Sequence, residues 1–321
     1  MIMPVDLMNN KELLMPLQVL RNCSMCPRNC NVNRYSNNLG YCKTDASFNI
    51  SSIFNHCGEE PVISGKNGIC NIFFSHCNLQ CIYCQNYQIS RNKISLEDNK
   101  IELEKIIDKV EFYLTQGCEA VGFVSPSHFI PQTKIIINTL KSLGHKPIFV
   151  FNTNSYDKLE TIREFEGLID VYLPDFKYSD DKLAKQFSDA VHYRETAINA
   201  IKEMYRQKDA NLIINDNGYA ESGLIIRHLV LPGHVDNSIN VLRDIAENIS
   251  TSVHISLMSQ YYPVSNNKKY PELNRKLTAE EYEQVIEEMD KFGFQNGWIQ
   301  ELESSENYLP DFNNKEPFLM R

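Results

Sequence analysis

Three cysteines, Cys77, Cys81 and Cys84, stand directly behind the apolar run Ile72-Phe73-Phe74, in a C-x3-C-x2-C spacing with the aromatic Tyr83 before the last of them. Ile72-Phe73-Phe74 reads as the end of a strand, so the loop after it has to bring three sulfurs to one place. Three readings fit: buried thiols that merely pack, a zinc site completed by one distant ligand, or a cubane of four irons and four sulfides. Three thiolates on such a cubane leave one iron without a protein ligand, and that open iron can take a small molecule.

The rest of the chain supplies a setting for such a loop. Short runs rich in β-branched or aromatic residues occur at 71–74, 120–124, 147–151, 170–173, 224–231, 253–257 and 297–302. Breakers bound each of them, which predicts strands. Helical patterns lie between. Leu103, Ile106, Ile107, Val110 and Leu114 share one face; Tyr282, Val285, Ile286 and Met289 share another, behind a capping box of Thr278 and Glu281. Repeated strand and helix predict an α/β fold with a mainly parallel sheet covered by helices. Residues 211–223 read as a β-hairpin insertion entering an Asn217-Gly218 turn.

The cysteine loop resembles that of radical S-adenosylmethionine (SAM) enzymes, and Tyr83 matches their aromatic position. The resemblance implies a 4Fe-4S cluster on Cys77, Cys81 and Cys84 whose open iron chelates SAM. Reductive cleavage of SAM would then give a 5′-deoxyadenosyl radical that abstracts hydrogen. It also implies a partial (β/α)6 barrel, since about six strand-helix units are too few for a closed eight-stranded one. In such sheets ligands gather at the carboxyl ends of the strands. The organisation expected is a cysteine-rich module over 1–68, the partial barrel over 69–303 and a tail over 304–321.

Several strand ends carry candidate residues. Ser125-Pro126-Ser127-His128 stands where many radical SAM enzymes have Gly-Gly-Glu; Ser125, Ser127 and His128 could accept from the SAM ammonium, or Ser125 to Ser127 could form a helix-capping turn. Asn152-Thr153-Asn154-Ser155 is similar to the Asp-Thr-Asn-Gly of glycyl-radical activating enzymes, which makes Asn152 and Asn154 cofactor contacts, although such residues also cap helices. Asp175-Phe176-Lys177 is similar to their Asp-Leu-Lys and offers a catalytic carboxylate and ammonium. The strand ending Arg227-His228 contributes His228 as a contact for adenine or substrate, and Gln260 and Gln300 are polar candidates. These segments resemble standalone homologues of the pyruvate formate-lyase activating enzyme.

A second set of cysteines lies upstream. Cys23, Cys26, Cys30 and Cys42 form a C-x2-C-x3-C-x11-C series, enough thiolates to close a site, and zinc or an auxiliary iron-sulfur cluster both fit. Cys57, Cys70 and Cys118 fit neither set, and Glu59 and Glu60 read as a solvated loop joining the modules.

Composition narrows the function classes. A net charge of −9 argues against a phosphate-backbone binder. The start of the chain shows no secretory signal, no run is long enough for a membrane span, and closely grouped cysteines suit a reducing cytoplasm. The expected partners are a one-electron reductant such as flavodoxin or ferredoxin and a glycyl-radical protein as substrate. Direct modification of a small molecule or peptide is the alternative, and a non-enzymatic iron-sulfur electron carrier is a second one.

Overall fold

The computed structural model describes residues 12–302, 304, 309–314 and 317–318. The start of the chain, Glu303 and most of the expected tail lie outside the described residues. Within them the strands are β1 (Ile50–His56), β2 (Ile69–Phe74), β3 (Ala120–Val124), β4 (Ile148–Thr153), β5 (Val171–Pro174), β6 (Ile213–Ile214), β7 (Ala220–Leu229), β8 (His254–Met258) and β9 (Gly297–Ile299). The helices are α1 (Pro61–Ser64), α2 (Tyr87–Ser90), α3 (Leu103–Thr115), α4 (Ile130–Ser142), α5 (Leu159–Arg163), α6 (Asp181–Ser188), α7 (Tyr193–Lys208), α8 (Val235–Asn248) and α9 (Ala279–Lys291).

The sheet runs β1-β2-β3-β4-β5-β7-β8-β9, with β6 paired to β7 off this path. From β2 to β9 every neighbouring pair on the path is parallel, and helices cover the crossovers. This is the partial α/β barrel that the alternation of strand and helix patterns predicts. Both faces of the central parallel strands β2 to β5 are largely buried, whereas β9 at the sheet edge is exposed, and period two divides the buried side chains between the two faces. One set, with Val121, Phe123, Phe149, Phe151, Tyr172 and Ile226, packs against the helices. The other, with Ile69, Ala120, Val150, Val171, Leu173 and Ile225, fills the barrel interior below the cavity.

The amphipathic helices form where their stripes predict. In α3, Leu103, Ile106, Ile107 and Val110 are buried; in α9, Tyr282, Val285 and Met289 are buried, and Thr278 with Glu281 completes the capping box. No helix of the described residues is long and apolar enough to cross a membrane.

Two local expectations change. The cysteine-rich module expected over 1–68 contributes a strand to the sheet: β1 pairs antiparallel with β2, with Ile53 opposite Ile72 and Asn55 opposite Cys70. Its alternation is blurred because burial along β1 is irregular, with a register shift between Ile50 and Ser52. The hairpin at 211–223 is no separate insertion, because its second arm is the first half of β7. Its turn is tied by the Asn215 side chain, whose Oδ1 accepts from the N–H groups of Asn217 and Tyr219 at 3.0 Å each. Gly218 closes it at φ +84°, a conformation side chains resist.

The barrel interior leaves little room at Gly122. A Cβ there would lie 2.0 Å from Oδ1 of Asn71, which is buried and donates to Glu59 at 2.9 Å. Gly122→Ala should therefore cost about 1–3 kcal/mol through overpacking. Urea denaturation should show a lowered midpoint with an unchanged slope; an unchanged midpoint would mean that Asn71 yields freely.

Candidate metal and ligand centre

At the carboxyl ends of the parallel strands lies a cavity of about 190 Å3. β2 leads into the cysteine loop, and Cys77, Cys81 and Cys84 all line this cavity. None of the three is in a disulfide. Each sulfur meets hydrogen-bond donors. The Leu79 N–H lies 3.4 Å from Cys77 Sγ and the Asn154 amide 3.5 Å from it; the hydroxyls of Ser188 and Ser90 reach Cys81 and Cys84 at 2.9 and 3.3 Å.

Burial pushes the Cys77 thiol up to about 12 and Cys81 up to about 11, where the Lys177 ammonium opposes the rise. Left alone these thiols hold their protons, so a bound iron centre would take their place and release them. Three convergent thiols with donors aimed at sulfur fit a 4Fe-4S cluster with one open iron. The donors are positioned to stabilise thiolate charge.

Opposite the cysteines, Lys177 Nζ bonds Asp175 Oδ2 at 2.5 Å. Burial alone would depress the ammonium; Asp175 and the sulfurs of Cys81 and Cys84 outweigh it and hold Lys177 above its usual value. Arg227, on the interior face of β7, reaches Glu59 at 3.1 Å, Glu60 at 3.2 Å and Asp175 at 4.0 Å. Glu59 and Glu60 are thus not a solvated loop: their side chains are 8% and 5% exposed, held inside by the guanidinium. Burial opposes the Arg227 charge, and the surrounding carboxylates, Glu60 first, secure it.

The cavity brings together Tyr83, Ser125, Asn152, Asn154, Asp175, Lys177 and Gln260 with the three cysteines. Tyr83 is buried, and its hydroxyl lies 2.7 Å from that of Tyr178, which in turn meets Ser188 at 2.6 Å. Ser125 adopts the left-handed conformation at φ +52° and caps no helix through its side chain, contrary to the capping alternative. Its backbone N–H bonds the Asn152 carbonyl at 2.8 Å instead. Asn154 donates to Asn78 Oδ1 at 2.8 Å as well as toward Cys77.

Three expected contacts lie elsewhere. Ser127 is buried against Thr153. His128 points its Nε2 at the Ser75 carbonyl, 3.0 Å away, and lines the void of the N-terminal cysteines. His228 sits on the helix-facing side of β7, between the Phe176 carbonyl at 2.7 Å and Ser238 Oγ at 2.8 Å. Gln300 braces the cavity from behind, donating to Gln260 Oε1 at 2.9 Å. Arg227, Glu59, Leu229 and Met258 line the cavity without having been picked out. Arg227 and His228 are adjacent on β7, so their side chains take opposite faces, and the buried ion pairs show which face is inward.

Residues 71–246 match the Radical SAM superfamily. An uncharacterized protein of Methanocaldococcus jannaschii, MJ0674, is 32% identical over 282 residues, covering 85% of this chain and 76% of the relative. Among solved structures, TYW1 with a lysine-pyruvate adduct bound aligns at 13% identity and TM-score 0.49, over 78% of this chain and 82% of that one. A domain of pyruvate-formate lyase-activating enzyme from Bacteroides vulgatus aligns at 16% identity and TM-score 0.39, over 54% of this chain and 93% of that one.

Burial lowers His228 from 6.5 to about 4. The folded imidazole therefore stays neutral in a window where the unfolded chain takes up a proton, so stability falls as pH falls. The loss should reach about 3 kcal/mol across that window. Denaturation of His228→Gln beside the wild type from pH 7 to pH 4 should give a flatter profile for the variant; parallel profiles would exclude His228 as the source.

Proposed function

The chain belongs to the Radical SAM superfamily, and we propose that it cleaves S-adenosylmethionine reductively at a cluster held by Cys77, Cys81 and Cys84. The observation that carries this reading is the convergence of three donor-supported thiols on one cavity at the carboxyl end of β2. A 4Fe-4S cluster with SAM on its open iron supplies, when bound, one electron to the sulfonium and hence a 5′-deoxyadenosyl radical. The protein's part is to hold the thiolates, orient the ligand and shield the cavity.

Each group has a task suited to its position. Asn152, Asn154 and Ser125 present short amide and hydroxyl groups on the cavity wall, suited to ribose, ammonium and carboxylate. Lys177 offers a cation within the field of the Cys81 and Cys84 sulfurs. Asp175 accepts from Lys177 and faces Arg227, which fixes its carboxylate at the cavity floor. Tyr83 packs beside the cluster loop against Tyr261 and Phe187.

The substrate we propose is a glycine Cα–H of a partner protein, supported by the similarity of Asp175-Phe176-Lys177 to the Asp-Leu-Lys of activating enzymes. A flavodoxin or ferredoxin is the proposed one-electron donor. Direct modification of a small polar molecule or peptide is the second reading, favoured by the charged floor of Arg227, Glu59 and Asp175. Cys23, Cys26, Cys30 and Cys42 are proposed to hold a second metal centre.

Cys81→Ala should abolish 5′-deoxyadenosine formation while the circular dichroism spectrum stays that of the wild type; undiminished formation in that variant refutes the cluster assignment. A stable glycyl radical signal on a candidate partner, requiring this protein, reductant and SAM, would separate the two substrate readings. Deoxyadenosine release without that signal on any glycyl-radical candidate would favour direct modification.

A further inference from the structure

A hollow of about 530 Å3 lies between the N-terminal module and the loop that follows α2. Tyr35, Leu39 and Lys43 come to it from the module, and Asn92, Lys93 and Ile94 from the loop. The His76 ring holds the two walls together, with one ring nitrogen 2.8 Å from the Cys42 carbonyl and the other 3.0 Å from that of Ile94.

The hollow backs onto the cysteine loop. Asn92 Oδ1 accepts from the Cys77 N–H at 3.1 Å, and the Asn92 amide donates to the carbonyls of Cys77 and Tyr41 at 3.0 and 2.9 Å. His76, which also lines the hollow, directly precedes Cys77. Cys77 itself lines the 190 Å3 cavity, and among the described residues the hollow and that cavity share no lining side chain. A molecule seated in the hollow therefore leaves the cavity open.

The charge of the hollow runs against that of the chain. Its lining holds Arg34, Lys43, Lys93 and Lys100 against two carboxylates, Asp45 and Glu97, in a protein of net charge −9. Lys100 pairs with Asp45 at 2.7 Å. Lys43 and Lys93 are exposed and, among the described residues, in no ion pair. Arg34 is buried and turned to the carbonyls of Thr44, Asp45 and His128. The cations left open are thus surface lysines, which suit the spread charge of a protein face better than a small anion, since the latter calls for donors held in a fixed fork. Beside them stand Tyr35, 47% exposed, and the partly buried Leu39, Ile94 and Leu96. An exposed tyrosine on a partly apolar patch with charge around it is the make-up of a protein contact.

We infer that this hollow is the docking surface for an acidic one-electron carrier protein, which reaches the cysteine loop from behind Cys77 and outside the ligand cavity. This deepens the proposed function and rests on that reading. In the docked pair one electron leaves the carrier, which is oxidised, and reduces by one electron the centre held by Cys77; no bond or proton is exchanged. Lys43 and Lys93 steer the carrier in, and complementary charge of this kind acts on the rate and register of association. Carrier and substrate then bind without competing.

The test reads binding as well as turnover. An acidic flavodoxin, and in a second series an acidic ferredoxin, is titrated into the full chain by calorimetry; deoxyadenosine formation by the reconstituted protein is then driven by the reduced carrier or by dithionite. Wild-type binding should weaken as ionic strength rises from about 0.01 M to about 0.15 M. Lys43→Glu with Lys93→Glu should weaken it at least about tenfold at the lower value and slow carrier-driven formation to match, with the dithionite-driven rate unchanged. Lys43→Gln with Lys93→Gln should fall between the two. Lys202→Glu with Lys291→Glu, a charge-matched change at exposed positions of α7 and α9, should bind like the wild type. Failure of both carriers to bind the wild type, full binding by the Lys43 and Lys93 variants, equal weakening by the control pair, or an equal loss with dithionite overturns the docking surface. Absence of deoxyadenosine from the wild type with dithionite counts instead against SAM cleavage, and the binding comparison still decides the docking surface.

Discussion

Arg227 holds a full positive charge inside the barrel, and much of the site is arranged around it. β5 and β7 pair through only two register positions, Val171 with Gly223 and Tyr172 with Leu224. Beyond them the seam is continued by a bridge between Asp175 and Arg227. The guanidinium then reaches across the interior to Glu59 and Glu60, which follow β1, the antiparallel strand at one edge of the sheet. An open barrel has no hydrogen-bonded closure; here a buried ion cluster ties its two sides together. Removing the cation would leave buried carboxylates unpaired, a costly state, so the cavity floor and the wall stand or fall together.

Much of this architecture was legible because period and punctuation are local properties. The parallel strands, the amphipathic faces of α3 and α9 and the Thr278–Glu281 capping box are written in residue spacing. β1 was not, because its burial is irregular and its partner precedes the first crossover. The two acids after it looked solvated because their cation lies 167 or more positions away along the chain, at Arg227. Ionic partners set by topology leave no trace in a local window.

The candidate site divides along the same line. The three cysteines, Asn152, Asn154, Asp175 and Lys177 sit at strand ends with short motifs and meet at one cavity. For a histidine on a strand the decision is which face it takes, and that depends on which neighbour of the pair is inward. His228 and Arg227 are adjacent, and the inward position went to the residue whose charge the interior carboxylates could satisfy. His128 was similarly drawn away by the Ser75 carbonyl.

The hydroxyl of Ser188, at the end of α6, donates to Cys81 Sγ and accepts from Tyr178, whose hydroxyl in turn meets that of Tyr83. Tyr83 lies two positions from Cys81, so this relay returns to the loop where it began. Hydrogen bonds to ligand sulfur and exclusion of water are among the determinants of a cluster's reduction potential. α6 therefore acts on more than packing: were Cys81 to hold a cluster, a small rotation of the last turn of α6 would alter how readily that cluster accepts an electron, without displacing a single ligand.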